Sequence, residues 1–137
     1  MGKFRSPILW PSLPPKISRF LQDEDEDGRD ADVSPAPSYN PETKEISPLI
    51  EEQTQQIFLN VEVLLREGGA TMKDIVRIRY VLKDISEWSD CRRVLRRWLS
   101  AVRPATSVMQ AILLDDKVRI EVEVTARKTG QLHNYAD

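Results

Sequence analysis

Between Glu45 and Lys128 the hydrophobic pattern switches repeatedly between a period of two and a period near 3.6, and the switches mark the elements. Val118, Ile120, Val122 and Val124 alternate with Arg119, Glu121, Glu123 and Thr125, which predicts a strand over 118–127 with one apolar and one charged face. The run before it, Ser107 to Leu114, becomes apolar on both sides and predicts a strand joined to the first as a terminal hairpin through Asp115-Asp116-Lys117. A third strand is predicted over 74–83, with Val76, Ile78, Tyr80 and Leu82 on one face and Arg77, Arg79 and Lys83 on the other. Ile50, Ile57, Phe58, Val61, Leu64 and Leu65 form the apolar stripe of a helix over 48–67. Ser47 is its expected N-cap, Pro48 its first residue and Gly68-Gly69 its stop. Gln53, Gln55, Gln56, Glu62 and Arg66 fall on its polar side. Trp88, Cys91, Leu95, Trp98 and Val102 recur at three- and four-residue spacing and predict a helix over 86–102 capped by Ser86, with Arg92, Arg93, Arg96 and Arg97 opposite. Glu45-Ile46-Ser47 reads as a short edge strand.

Two helices with one apolar stripe each belong on the same face of one sheet, so the expected fold is α+β in two layers. Val108, Ile112 and Leu114 suggest that the other sheet face is also apolar, and a second copy of the chain is its expected cover. Eight of the nine prolines precede Leu49, and Asp23 to Asp32 is an acidic run, DEDEDGRDAD. Proline spacing forbids a continuous helix, and like charges keep such a run solvated. Residues 1–39 therefore read as an irregular tail, 40–128 as the domain and 129–137 as a C-terminal tail.

A chain of 137 residues with formal net charge −2 has room for one modest core and no overall attraction for nucleic acid. The lone Cys91 excludes an intramolecular disulfide and falls within an apolar stripe; the lone His133 lies in the polar C-terminal stretch. Nothing calls for a metal or a cofactor, and no apolar run approaches the roughly 20 residues of a membrane helix. The expected compartment is the cytoplasm, with the basic, acid-poor start giving a mitochondrial presequence as the alternative.

The segments EEQTQQIFLNVEVLLREGGATMKDIVRIRYVLKDISEW and RPATSVMQAILLDDKVRIEVEVTA resemble the RidA (YjgF) family over about 40–128. The resemblance implies a chorismate-mutase-like fold, a homotrimer, and clefts between subunits that take a small anionic metabolite. It also implies hydrolysis of reactive enamines and imines, the 2-imino acids, to 2-keto acids and ammonia. Glu121 matches the family's water-positioning glutamate. The family's carboxylate-binding arginine is replaced by Thr106, which has one hydroxyl and no charge. Arg92, at the position of a family asparagine, and Arg103 are the candidate replacements, Arg92 favoured. Residues 1–39 show no match to the family's opening strand pair. Two functions follow: a non-catalytic or weakly active member that binds a small ligand or a partner, or an enamine/imine deaminase acting through Glu121.

Overall fold

The computed structural model describes residues 20–23 and 30–128 of the chain. Five strands form one mixed sheet: β1 (Leu21–Asp23), β2 (Asp30–Val33), β3 (Ile75–Leu82), β4 (Ala105–Gln110) and β5 (Ile120–Arg127), in spatial order β1-β2-β5-β3-β4. All neighbours are antiparallel except β3 and β4. Helices α1 (Ile50–Glu67) and α2 (Trp88–Leu99) cover one face. The parallel β3–α2–β4 unit needs a crossover connection, which α2 supplies.

The core is the meeting of the two predicted helical stripes with alternate strand residues. Ile57, Phe58, Val61, Leu64 and Leu65 of α1 are buried with Ile78, Tyr80 and Leu82 of β3 and with Ile120, Val122, Val124 and Ala126 of β5. Phe58 stacks on Trp98, with centroids 6.1 Å apart, and Tyr80 meets Trp88 at 4.8 Å. Helix α1 stops where expected: Gly69 has φ +87, a conformation that suits glycine, and Gly68 N–H donates to the Leu64 carbonyl.

Several boundaries and placements differ from the sequence reading. Helix α1 begins at Ile50 rather than 48, although Ser47 still serves the first turn: its Oγ accepts from Leu49 N–H and donates to Glu52. A short 3-10 turn over Ile85–Glu87 precedes α2, and Asp84, not Ser86, is the capping side chain, accepting from Ser86 N–H. Residues 45–47 form no strand. On β3, Val76 is exposed and Ile75 buried, because a register irregularity between Ile75 and Arg77 inserts one residue against β5 and reverses the alternation there.

The opening strand pair is present, so the 1–39 boundary is corrected. Leu21 pairs with Val33 and Asp23 with Ala31, while β2 lies along β5 with Ala31 opposite Ala126 and Val33 opposite Val124. Ala31 and Val33 are fully buried, and Ala36 and Ser38 follow them into the interior. The acidic run looked self-repelling because its partners are far away in sequence. Asp30 pairs with Arg127 at 2.8 Å and Asp32 accepts from the Thr125 hydroxyl at 2.8 Å. Expectations about residues 1–19, 24–29 and 129–137 fall outside the described residues.

The terminal hairpin is also corrected. Strand β4 ends at Gln110, and residues 111–119 cross the end of β3 to reach β5 on its other side. Ala111 N–H donates to the Leu82 carbonyl and Lys83 N–H to the Arg119 carbonyl, which pins this crossing over the strand end. Leu113 is buried, whereas Ile112 and Leu114 are 92% and 98% exposed. The second sheet face is therefore not apolar in the way expected. Val108 packs towards the core, and Ile112 and Leu114 belong to the crossing rather than to a sheet face.

Candidate functional site

Residues paired across a sheet point to the same side, so the register assigns each candidate a face. Thr106 is level with Ile78 and Val124, both buried under the helices, and so stands at the β4 edge of the helix-covered face. Its hydroxyl donates to the Pro104 carbonyl at 3.0 Å. Glu121 is level with Val81, which is level with Met109, on the open face. Two strand spacings of about 4.8 Å and three residue rises of about 3.3 Å separate Thr106 from Glu121, roughly 14 Å in all. One protomer does not bring them together.

On the open face the charges are almost all committed. Glu123 pairs with Arg79 at 2.5 Å, Asp30 with Arg127, and Thr125 bridges Asp32 to Arg77, the latter at 3.4 Å. Glu121 is half-buried and is the acidic side chain of this face with no hydrogen bond or ion pair among the described residues. Arg119 does not share its face. It turns under the sheet end, pairs with Glu87 through Nε and Nη2, and reaches the Pro48 carbonyl with Nη1.

Arg92 and Arg103 do share a surface. With Leu95, Arg96, Leu99 and Ser100 they line an open groove of about 470 Å³ along α2. It lies on the helix side of the molecule, so Glu121 is on the far side of the sheet.

A separate cleft of about 480 Å³ opens between the start of α1 and the crossing, lined by residues that include Ser47, Lys83, Asp84, Glu87, Lys117 and Arg119. Gln53 builds it. This side chain, placed on the polar side of α1 by periodicity, is fully buried. Its amide donates to the Ser47 and Lys117 carbonyls, each at 2.8 Å, and accepts from Arg119 N–H at 2.8 Å. Thus one glutamine ties the entry of α1 to the β4–β5 crossing. Asn60, also buried, donates to the Pro37 and Tyr39 carbonyls at 2.9 and 3.0 Å and holds the segment after β2. Neither role is visible from spacing alone. The available signal was a long amide on the margin of an apolar stripe, where a buried polar group needs partners.

Titration behaviour in this region follows from the same contacts. The Ser86 hydroxyl and backbone N–H hold the Asp84 carboxyl below its ordinary range. Burial pushes the Tyr80 phenol well above its ordinary value, and the neighbouring Cys91 adds to this. Burial likewise raises the Cys91 thiol, against a smaller opposing hydrogen bond from Thr54. A raised thiol in the core is a packing residue, as its place in the α2 stripe suggested. Among the described residues no group of His, Cys, Asp and Glu is placed to hold a metal, and no helix is long and apolar enough to cross a membrane.

A family model described as Endoribonuclease L-PSP matches residues 32–128. A RutC family protein of Pyrococcus abyssi is 32% identical over 90 residues, which cover 65% of this chain and 71% of that protein. The chloroplastic Reactive Intermediate Deaminase A of Arabidopsis thaliana is 30% identical over 87 residues, covering 63% of this chain and 46% of that protein. The crystal structure of RidA from the Antarctic bacterium Psychrobacter sp. superposes with a TM-score of 0.72 at 22% identity, over 79% of this chain and 85% of that one, a likeness of fold.

Proposed function

The chain belongs to the Endoribonuclease L-PSP (RidA/YjgF) family, and on that premise we propose that it binds a small anionic 2-imino or 2-keto acid in clefts between copies of itself and hydrolyses the imine slowly. The observation that carries the reading is Glu121, a half-buried carboxylate without a partner in a row of paired charges. Leaving such a group half-desolvated is unfavourable unless something meets it. In the proposed reaction the Glu121 carboxylate takes a proton from water as the oxygen adds to the imine carbon. That proton passes to the imine nitrogen to give a carbinolamine. The same carboxylate then moves the carbinolamine hydroxyl proton to nitrogen as the carbon–nitrogen bond breaks, so that ammonia leaves and a 2-keto acid remains. The name of the Arabidopsis relative points to the same chemistry.

Within one protomer Glu121 and the arginine groove lie on opposite sides of the sheet, so a site using both takes Glu121 from one copy and Arg92 and Arg103 from another. A homotrimer with interfacial clefts meets that requirement. The exposed Ile112 and Leu114, in the crossing beside β5, supply apolar surface for such contacts. We assign no nucleic-acid partner: the open face carries Asp30, Asp32, Glu121 and Glu123 beside its arginines, and the whole chain is acidic.

A second reading, a non-catalytic binding member, is favoured by Thr106. Its hydroxyl is already donated to Pro104 and it has no charge to hold a carboxylate. The two readings separate in one assay, ammonia release from a freshly generated 2-imino acid. Thr106→Arg should raise turnover, and Glu121→Ala should abolish it. Turnover indifferent to Glu121→Ala removes Glu121 from the site; no turnover in either the parent chain or Thr106→Arg leaves the binding reading.

A further inference from the structure

The α2 groove holds more positive charge than one carboxylate uses. Arg92, Arg96 and Arg103 line it, its floor is Leu95 and Leu99, and no acidic side chain is part of it. Arg93, on the same helix, is paired with Asp90. The three groove arginines have no ion pair or hydrogen bond among the described residues. Arg92 and Arg96 are one turn apart, their Cβ atoms about 5–6 Å from each other, a like-charge spacing that works against the helix. The helix dipole accounts for Arg96 and Arg97, which lie in the last turn, but not for Arg92 in the first half of α2 or Arg103 beyond its end.

From this geometry we infer that the groove selects a dianionic small molecule, a short 2-keto or 2-imino dicarboxylate, and that Arg96 is the residue that distinguishes it from a monocarboxylate. The inference rests on the proposed ligand site and narrows its substrate class. One carboxylate is satisfied by one guanidinium fork. A monoanion on Arg92 would leave Arg96 and Arg103 in the same groove without a counter-charge. A second carboxylate, carried on a two- or three-carbon spacer that lies over Leu95 and Leu99, takes up the fork of Arg96 and removes the repulsion along the helix. Arg96 acts on recognition alone and touches no reacting atom.

The test is calorimetric binding of 2-oxoglutarate and of 2-oxobutanoate to the full chain at fixed ionic strength, with sulfate as a third titrant. The dicarboxylate is expected to bind at least about tenfold more tightly, the worth of one additional charge-assisted bond. Arg96→Gln should lower dicarboxylate affinity about tenfold while changing monocarboxylate affinity less than about twofold. Arg96→Lys should restore part of the preference, and circular dichroism checks that α2 persists in both variants. Equal affinity for the two acids, equal losses in Arg96→Gln, binding of sulfate as tight as that of the dicarboxylate, or no binding of either acid at millimolar concentration overturns the inference. Dicarboxylate preference without ammonia release from the corresponding imine would sustain it while removing the deaminase reading. Turnover of a monocarboxylate imine without dicarboxylate preference would do the reverse.

Discussion

Replacing Gln53 by leucine should loosen the junction between α1 and the β4–β5 crossing while leaving the core filled. The substitution keeps most of the side-chain volume and removes three hydrogen bonds: two donated to the Ser47 and Lys117 carbonyls and one accepted from Arg119 N–H. At roughly 0.5–1.5 kcal/mol net for each bond, the range is about 1.5–4.5 kcal/mol. The freed groups are only partly buried and border a cleft, so water recovers part of the loss, and about 2 kcal/mol is the expected cost. Urea unfolding followed by circular dichroism measures it, at one protein concentration because self-association would shift the midpoint. Hydrogen exchange at the Arg119 amide gives the local reading and should accelerate. Gln53→Glu is the informative companion. It keeps an acceptor for Arg119 N–H but turns a carboxylate towards two carbonyl oxygens, which raises its folded-state pKa. That variant should be less stable than Gln53→Leu at neutral pH and recover as pH falls. A cost below about 0.5 kcal/mol for Gln53→Leu, with unchanged exchange at Arg119, would show that the glutamine does not hold the crossing.

Asn60→Ala removes the bonds to Pro37 and Tyr39 and should cost about 1–3 kcal/mol, read as a lowered thermal midpoint. Arg79→Ala breaks an ion pair whose arginine is substantially exposed and should change stability by no more than about 1 kcal/mol in the same assay; a larger loss would mean the open face is covered in solution. Tyr80 keeps its proton in the folded state while an unfolded tyrosine loses it near pH 10. Its contribution is therefore fully present below about pH 10 and declines as pH rises above that. Phenolate absorbance should show one tyrosine that ionises only with unfolding. Cys91 should resist thiol reagents until the chain unfolds, and rapid labelling under native conditions would contradict its placement.

The amino-acid sequence determined both helices, β3, β5 and their layering, because each carries a periodic apolar pattern over eight or more positions or a distinct stop such as Gly68-Gly69. Strand β4, six residues without such alternation, was legible only as a strand near 107–114. It also marked Glu121 as polar-faced and Cys91 as core. Pairing was another matter. Periodicity records which face of a strand is apolar but not which strand lies beside it. Residues 107–127 therefore read as a hairpin, although β3 lies between its two strands and 111–119 is the crossing. Strand β2 was illegible for a related reason. It has four residues, and what makes its aspartates acceptable is Arg127 and Thr125, more than ninety positions away. The buried roles of Gln53 and Asn60 needed the carbonyls of segments that only the folded chain brings near. The candidate site divides in the same way: its residue types were legible locally, but the separation of Thr106 and Glu121 onto opposite sheet faces is a consequence of register, which tertiary packing alone decides.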